Sequence, residues 1–306
     1  MKIVFFGTPT LAAGFLDALL RDPFFEVVAL VCQPDEPIGR KKVLTPPPTK
    51  ELFLATHPDR PVFQPTKLKD EAFQQELRAL GAEAFVVMAY GRILPASVLN
   101  IPPKGCVNVH PSLLPQYRGP SPLQAAIAAG DSETGVSIMR MDEGMDTGPI
   151  FAQERFALAS EWTTSDLAAH ALQVGAPMLV QVLKDLHSGT ATLTPQSTEG
   201  VSICSLISKQ DGLFQPHWSA EETVRKLRAY TPWPGVTITS DLRGKPLTAK
   251  IIQAQPAPDV TAPAGTLTEK DGILYLGTAS CALAITELQP LGKNAMRSAD
   301  FLRGWR

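Results

Sequence analysis

The sequence predicts an α/β fold: a Rossmann-like, mostly parallel sheet clad in helices, followed by a small OB-like β-barrel. Three observations point there. Apolar runs alternate with helical patterns through the first half of the 306 residues, and a small, polar stretch interrupts the pattern from Gly189. Beyond it, short strand-like pieces punctuated by Gly and Pro fill the rest of the chain. Strand–helix alternation implies a parallel sheet with right-handed crossovers. Short strands at even spacing imply a sandwich or barrel.

In chain order, Ile3–Phe6, Val27–Val31, Ala84–Met88 and Val107–Val109 are short and mostly apolar, as strands covered on both faces require. Between them, Leu11–Leu20, Lys50–Ala55, Glu71–Leu80 and Pro122–Ala129 carry the wider apolar spacing of helices. Thr134–Met139 and Ile150–Leu158 are expected to add a hairpin at the sheet edge, and a long helix is expected from Thr164 to His187. Gly189–Ile207 begins small and polar and is read as a linker between domains 1–188 and 208–306. Ser219-Ala-Glu-Glu222 is a capping box, in which a hydroxyl and a carboxylate three residues on satisfy orphan backbone N–H groups. The helix it starts should run to Tyr230 and be stopped by Pro232 and Pro234. Val236–Thr239, Leu247–Gln255, Gly265–Thr268, Ile273–Gly277 and Ala282–Leu288 follow as barrel strands. No internal repeat is evident.

A 33.0 kDa chain with 44% hydrophobic and 19% charged residues has room for two ordinary cores. The net charge of −2 exerts no general pull on nucleic acid, yet residues from Ser208 onward sum to +3 and the remainder to −5. Cys32, Cys106, Cys204 and Cys281 are far apart, so neither a zinc ribbon nor a disulfide framework is indicated and no metal is expected. Lys2–Phe6 is too short for the apolar core of a signal peptide, and no run approaches the ~18 residues of a membrane span. A cytoplasmic address without membrane contact is expected, and a monomer, since no surplus apolar stripe stands out. Gly7-Thr8-Pro9 is not a dinucleotide fingerprint and no Gly-Lys-Ser/Thr phosphate loop exists, which disfavours a nucleotide cofactor held by either device.

The chemistry concentrates in two stretches, Asn108-Val-His-Pro-Ser-Leu-Leu-Pro-Gln-Tyr-Arg-Gly119 and Asp142-Glu-Gly-Met-Asp-Thr-Gly148. Side chains two apart on a strand share a face, so Asn108 and His110 should point the same way. Pro111 ends regular pairing and leaves His110 at the carboxyl end of its strand, where open α/β sheets bind ligands. Asp146 lies in a loop flanked by Gly144 and Gly148. An amide can hold a developing oxyanion, an imidazole can move a proton near neutral pH, and a carboxylate can fix its tautomer or raise its pKa. Together they suit addition of a nucleophile to a carbonyl. No Gly-x-Ser-x-Gly accompanies them, so the nucleophile is read as a substrate amine rather than a protein side chain. Either residue alone could equally be a satisfied strand-end histidine or a turn-forming asparagine.

A third stretch stands apart. Pro34–Thr49 joins the second strand to the next helix with sixteen residues, where about 2–6 is usual, and carries Arg40-Lys41-Lys42, the densest basic cluster in the chain. It reads either as a solvated charged loop or as an exposed lobe that sets cations against the phosphates of an RNA end.

The run Asn108-x-His110-Pro-Ser-Leu-Leu-Pro115-x-Tyr-Arg-Gly119 with Asp146-Thr-Gly148 resembles the 10-formyltetrahydrofolate-dependent formyltransferases. The likeness covers the whole chain, from Met1-Lys-Ile-Val-Phe-Phe-Gly-Thr-Pro9 to Trp233-Pro-Gly235, and is greatest to the members acting on initiator methionyl-tRNA. It implies that Asn108, His110 and Asp146 are catalytic, with protonated His110 and Asn108 holding the oxyanion and Asp146 raising the His110 pKa. It implies a folate-contacting loop at Ser112, Leu113, Leu114 and Pro115, facing a wall that includes Met88 and Tyr90. The co-substrate would be 10-formyltetrahydrofolate, with no metal. Arg40, Lys41 and Lys42 inherit a tRNA-binding role, and the C-terminal domain becomes an OB-like tRNA-binding domain. Members acting on glycinamide ribonucleotide would need a Gly-rich phosphate turn after the first strand, and those acting on sugars hardly need the basic loop.

Overall fold

The computed structural model describes residues 1–39 and 42–305. Two compact units are formed, the first from residues 1–122, 133–157 and 168–205, the second from 123–132, 158–167 and 206–306.

The first half runs β1 (Lys2–Gly7), α1 (Thr10–Arg21), β2 (Glu26–Val31), β3 (Glu36–Ile38), β4 (Val43–Thr45), α2 (Pro48–Thr56), β5 (Val62–Phe63), α3 (Glu71–Ala79), β6 (Ala84–Met88), α4 (Ala96–Leu99) and β7 (Cys106–His110). Then come α5 (Pro122–Ala129), β8 (Glu133–Arg140), β9 (Ile150–Ala157) and α6 (Thr164–Ser188). Seven strands make one sheet in the order β5-β2-β1-β6-β7-β8-β9. The first five of these are parallel, and β8 and β9 are antiparallel additions at one edge.

Alternation along β1 explains the layering. Ile3 and Phe5 pack on one side with Phe15, Leu16, Leu19, Leu179 and Leu183, while Val4 and Phe6 pack on the other with Phe73, Leu77 and Val98. With helices on both faces, the central strands lose their polar residues, as their sequence foretold. The carboxyl ends of β1, β6 and β7 are thereby left as the open rim of a rigid sheet. β7 is where the sheet turns from parallel to antiparallel, with Asn108 opposite Met139 and His110 opposite Ser137.

The expected strands, the edge hairpin and the long helix all form. β5 and α4 do not stand out in the sequence, having only two and four residues. The long connection after β2 folds on itself: Glu36 pairs with Thr45 and Ile38 with Val43 as an antiparallel hairpin. Arg40 and Lys41, two of the expected RNA contacts, lie outside the described residues. Lys42 is exposed and adopts a positive φ of 49°.

In the second unit, Ser219 caps α7 (Ala220–Ala229), its hydroxyl accepting from Glu222 N at 3.0 Å. The strands are β10 (Val236–Leu242), β11 (Lys245–Ala257), β12 (Leu267–Lys270), β13 (Ile273–Gly277), β14 (Ala282–Pro290) and β15 (Met296–Arg297), with α8 (Ser298–Gly304) last. They form one antiparallel sheet, β10-β11-β14-β13-β12, with β15 on β14. The sheet curls, and Ser240 Oγ on β10 donates to Gly265 O just before β12 at 2.9 Å, so its two ends meet in a barrel-like closure. Ile238, Leu247, Ala249, Leu274, Leu276 and Ile285 are buried within it. The α8 helix was not foreseen.

Candidate active site

Asn108 and His110, two apart on β7, are buried to 7% and 4% exposure. No hydrogen bond engages the Asn108 carboxamide among the described residues, and its polar atoms keep some solvent exposure although the residue as a whole is buried. It is a donor held in readiness. His110 is held from one side, its Nε2 lying 2.9 Å from Tyr117 O. A carbonyl can only accept, so Nε2 carries a hydrogen and the neutral ring presents Nδ1 as a lone pair. Nδ1 faces Asp146 Oδ2 at 3.7 Å, beyond a direct hydrogen bond. The same Oδ2 accepts from Gly119 N at 2.8 Å, which fixes the carboxylate.

Two motif glycines are forced by this packing. A Cβ on Gly119, whose φ is 114°, would lie 2.4 Å from Cys204 O, and one on Gly148 would lie 1.8 Å from Arg140 O. Asp146 itself takes a φ of 54°, a conformation that Asp tolerates better than most residues.

Electrostatics give the imidazole a definite resting state. Burial pushes the His110 pKa below its ordinary value, against the Asp146 carboxylate and the Tyr117 carbonyl, which both favour the charged ring. The carboxylate therefore acts in the expected direction, but desolvation outweighs it. Burial thus favours the neutral ring.

The loop after β7 is pinned from beneath. Ser112 Oγ donates to Gln116 O at 2.6 Å. Ser137 Oγ donates to Ser112 O at 2.7 Å and accepts from Leu114 N at 3.1 Å. Gln153 Nε2 reaches both Ser137 Oγ (2.8 Å) and Leu114 O (3.0 Å). Ser112, Leu113 and Leu114 are buried and Pro115 is half-buried, so the first three side chains shape the loop from inside. Met88 and Tyr90 are likewise buried, in opposite layers of the core. The Tyr90 hydroxyl has no partner among the described residues, and burial pushes its pKa to about 12.

Open space lies slightly further along the chain. A cavity of about 710 Å³ is lined by Leu68, Lys69, Arg92, Ile93, Leu94 and Glu143, among others, ample for a drug-sized molecule. Arg92 is anchored by Pro65 O and Thr66 O at 3.0 and 2.9 Å, while Ile93 is 78% exposed. Sequence reasoning missed these residues, although an apolar Ile93-Leu94-Pro95 directly after a strand and a Gly is a readable signal. Among the described residues no group of three His, Cys, Asp or Glu side chains could hold a metal. Nor, among them, is any helix long and apolar enough to cross a membrane.

Residues 1–183 match the model of the formyl transferase family, and residues 206–306 match the formyl transferase C-terminal domain. The chain belongs to the formyl transferase family. Methionyl-tRNA formyltransferase of Myxococcus xanthus is 44% identical over 303 residues, covering 99% of this chain and 95% of that protein. That of Thermus thermophilus is 41% identical, covering 100% and 96%. In fold, this formyl transferase is similar to HypX from Aquifex aeolicus in complex with tetrahydrofolic acid (TM-score 0.63, 18% identity), covering 99% of this chain and 47% of that one. It is also similar to the N-formyltransferase of Helicobacter canadensis in complex with folinic acid and dTDP-3-aminofucose (TM-score 0.65, 17% identity), covering 95% and 99%. Family membership establishes the chemistry as formyl transfer.

Proposed function

We propose that this enzyme transfers the formyl group of 10-formyltetrahydrofolate to the α-amino group of initiator methionyl-tRNA, with Asn108, His110 and Asp146 as catalytic residues. The observation that carries the reading is the meeting of an unengaged amide, a tautomer-fixed imidazole and a carboxylate at the carboxyl end of β7. End-to-end kinship with methionyl-tRNA formyltransferases supports the acceptor. Arg40, Lys41 and Lys42 are assigned to the acceptor RNA, and the second unit to tRNA contact. The reaction is assigned to the cytoplasm and to a monomer.

The folate carrier presents an electrophilic formyl carbon beside a leaving nitrogen. Met88, Tyr90 and Ser112–Pro115 shape the cleft that receives it, and the cavity along Arg92–Leu94 takes the rest of its length. Asn108 donates to the formyl oxygen as negative charge builds there. Neutral His110 accepts the proton that the attacking amine must lose, at Nδ1, since Nε2–H is committed to Tyr117 O. The imidazolium so formed is stabilised by Asp146 and then returns the proton to the departing nitrogen. Proton and electron pairs balance: one C–N bond forms, one breaks, and His110 ends as it began. The lowered His110 pKa suits this cycle, because a general base must be unprotonated at working pH.

Acceptor choice is tested by offering purified protein methionyl-tRNA and a nucleotide-linked aminosugar with the same labelled donor. Formyl should accumulate on methionyl-tRNA alone; accumulation on the sugar would overturn the acceptor assignment while leaving the chemistry.

A further inference from the structure

Gln196 lies in the stretch first read as a tether, yet this stretch is built into the site. Thr194 pairs with Ile150 through two backbone hydrogen bonds of 2.8 and 2.9 Å. Arg118 N donates to Ser202 O at 2.9 Å, and Cys204 N donates to Arg118 O at 2.8 Å. Between these two anchors the Gln196 carboxamide uses its full capacity. Its Nε2 donates to Asp146 O and to Gly148 O, each at 2.8 Å. Its Oε1 accepts from Arg118 Nε at 3.1 Å and Nη2 at 2.8 Å. One side chain thus joins the Asp146–Gly148 turn to the Tyr117–Gly119 turn. These two turns supply every group that holds Asp146 Oδ2 near the His110 ring, namely Gly119 N–H and the Asp146 backbone itself.

We propose that Gln196 is a positioning residue that sets the Asp146 carboxylate against His110, through its bridge between the two turns; this rests on the catalytic assignment above. Asp146 sits at a positive φ, so its conformation depends on external hold. Both carbonyls that Gln196 clasps belong to that strained turn, and a Gln replaced by a side chain without donors releases them. Asp146 is the charged group that raises the His110 pKa against burial. Withdrawal of the carboxylate therefore shows directly in the imidazole.

The test uses full-length Gln196→Met, which keeps volume and loses all four hydrogen bonds, and Gln196→Ala, which removes the carboxamide without adding a charge. Each is made in the wild-type and Asp146→Asn backgrounds. His110 is titrated by NMR of its ring protons, and single-turnover formyl transfer is measured alongside. Both variants should lower the His110 pKa and slow transfer about a hundredfold, the scale of a small misplacement of a reacting group, with the folate KM unchanged. Neither should add any loss in the Asp146→Asn background. An unchanged His110 titration, or an equal loss in both backgrounds, would overturn the proposal. Should Gln196→Met fail to fold, the titration of Gln196→Ala decides. Failure of the acceptor assignment would show instead as wild-type protein inactive on methionyl-tRNA, with the His110 titration still responding to residue 196.

Discussion

His110 Nδ1 lies 3.7 Å from Asp146 Oδ2, close enough to feel the charge and too far to share a proton directly. A direct hydrogen bond here would need a proton on Nδ1 and would take up the lone pair that this nitrogen presents. Burial favours the neutral ring, which in the proposed mechanism takes the proton of the substrate amine. Asp146 then lowers the energy of the ion pair formed at that moment, which is where stabilisation accelerates a reaction.

That arrangement makes Asn108 separable from its neighbours. Its amide has no hydrogen-bond partner among the described residues, so Asn108→Ala should leave the fold and folate affinity within about twofold while single-turnover transfer falls roughly a hundred- to a thousandfold, the cost of one oxyanion donor. Equal losses of folate binding and turnover would mark it as structural.

The depressed His110 pKa has a stability consequence whose sign is fixed. In the window just below the ordinary imidazole value of about 6.5, the unfolded chain binds a proton that the folded chain refuses. Stability should therefore fall as pH drops through 6.5 toward the lower folded value. His57 is depressed too, by burial first and Arg60 second, but contributes equally to any His110 variant. Thermal midpoints measured from pH 7.5 to 5 should decline more steeply in wild type than in His110→Gln; parallel curves would contradict the assignment.

Much of this site was legible in the chain. The two-residue periodicity put Asn108 and His110 on one face, Pro111 marked the strand end, and Gly144 and Gly148 marked the loop that carries Asp146. What was hidden is physically intelligible. β5 and α4 are too short to show a period. The hairpin of β3 and β4 was read as a loop because its prolines and charges mask two three-residue strands. Met88 and Tyr90 were read as folate contacts and are buried in opposite layers of the core, and periodicity cannot say whether a residue lines a cleft from within or without. Gln196 carried no signal, since its partners are two backbone carbonyls and a guanidinium from distant turns.

Ser137 gives the Ser112–Pro115 loop, the proposed folate contact, its floor. Its buried hydroxyl serves Ser112 O, Leu114 N and Gln153 Nε2 together. Ser137→Ala strands these groups at a cost of about 1–3 kcal/mol, and should weaken folate binding more than it slows the bound-state chemical step. Calorimetric unfolding and equilibrium folate titration measure the two effects separately. Unaltered stability with lost turnover would reverse their order.

Replacing Arg40, Lys41 and Lys42 with Ala should flatten the dependence of log tRNA affinity on log salt by up to ~2–3 units. An unchanged slope removes this cluster from the RNA interface.

The most direct measurement is single-turnover transfer of a labelled formyl group from 10-formyltetrahydrofolate to methionyl-tRNA by wild type, His110→Ala, Asp146→Asn and the double variant. Because the two side chains act as one unit, each single change should slow transfer at least about a hundredfold, and the double should be no slower than the worse single. Transfer at the wild-type rate by either single variant would contradict the account.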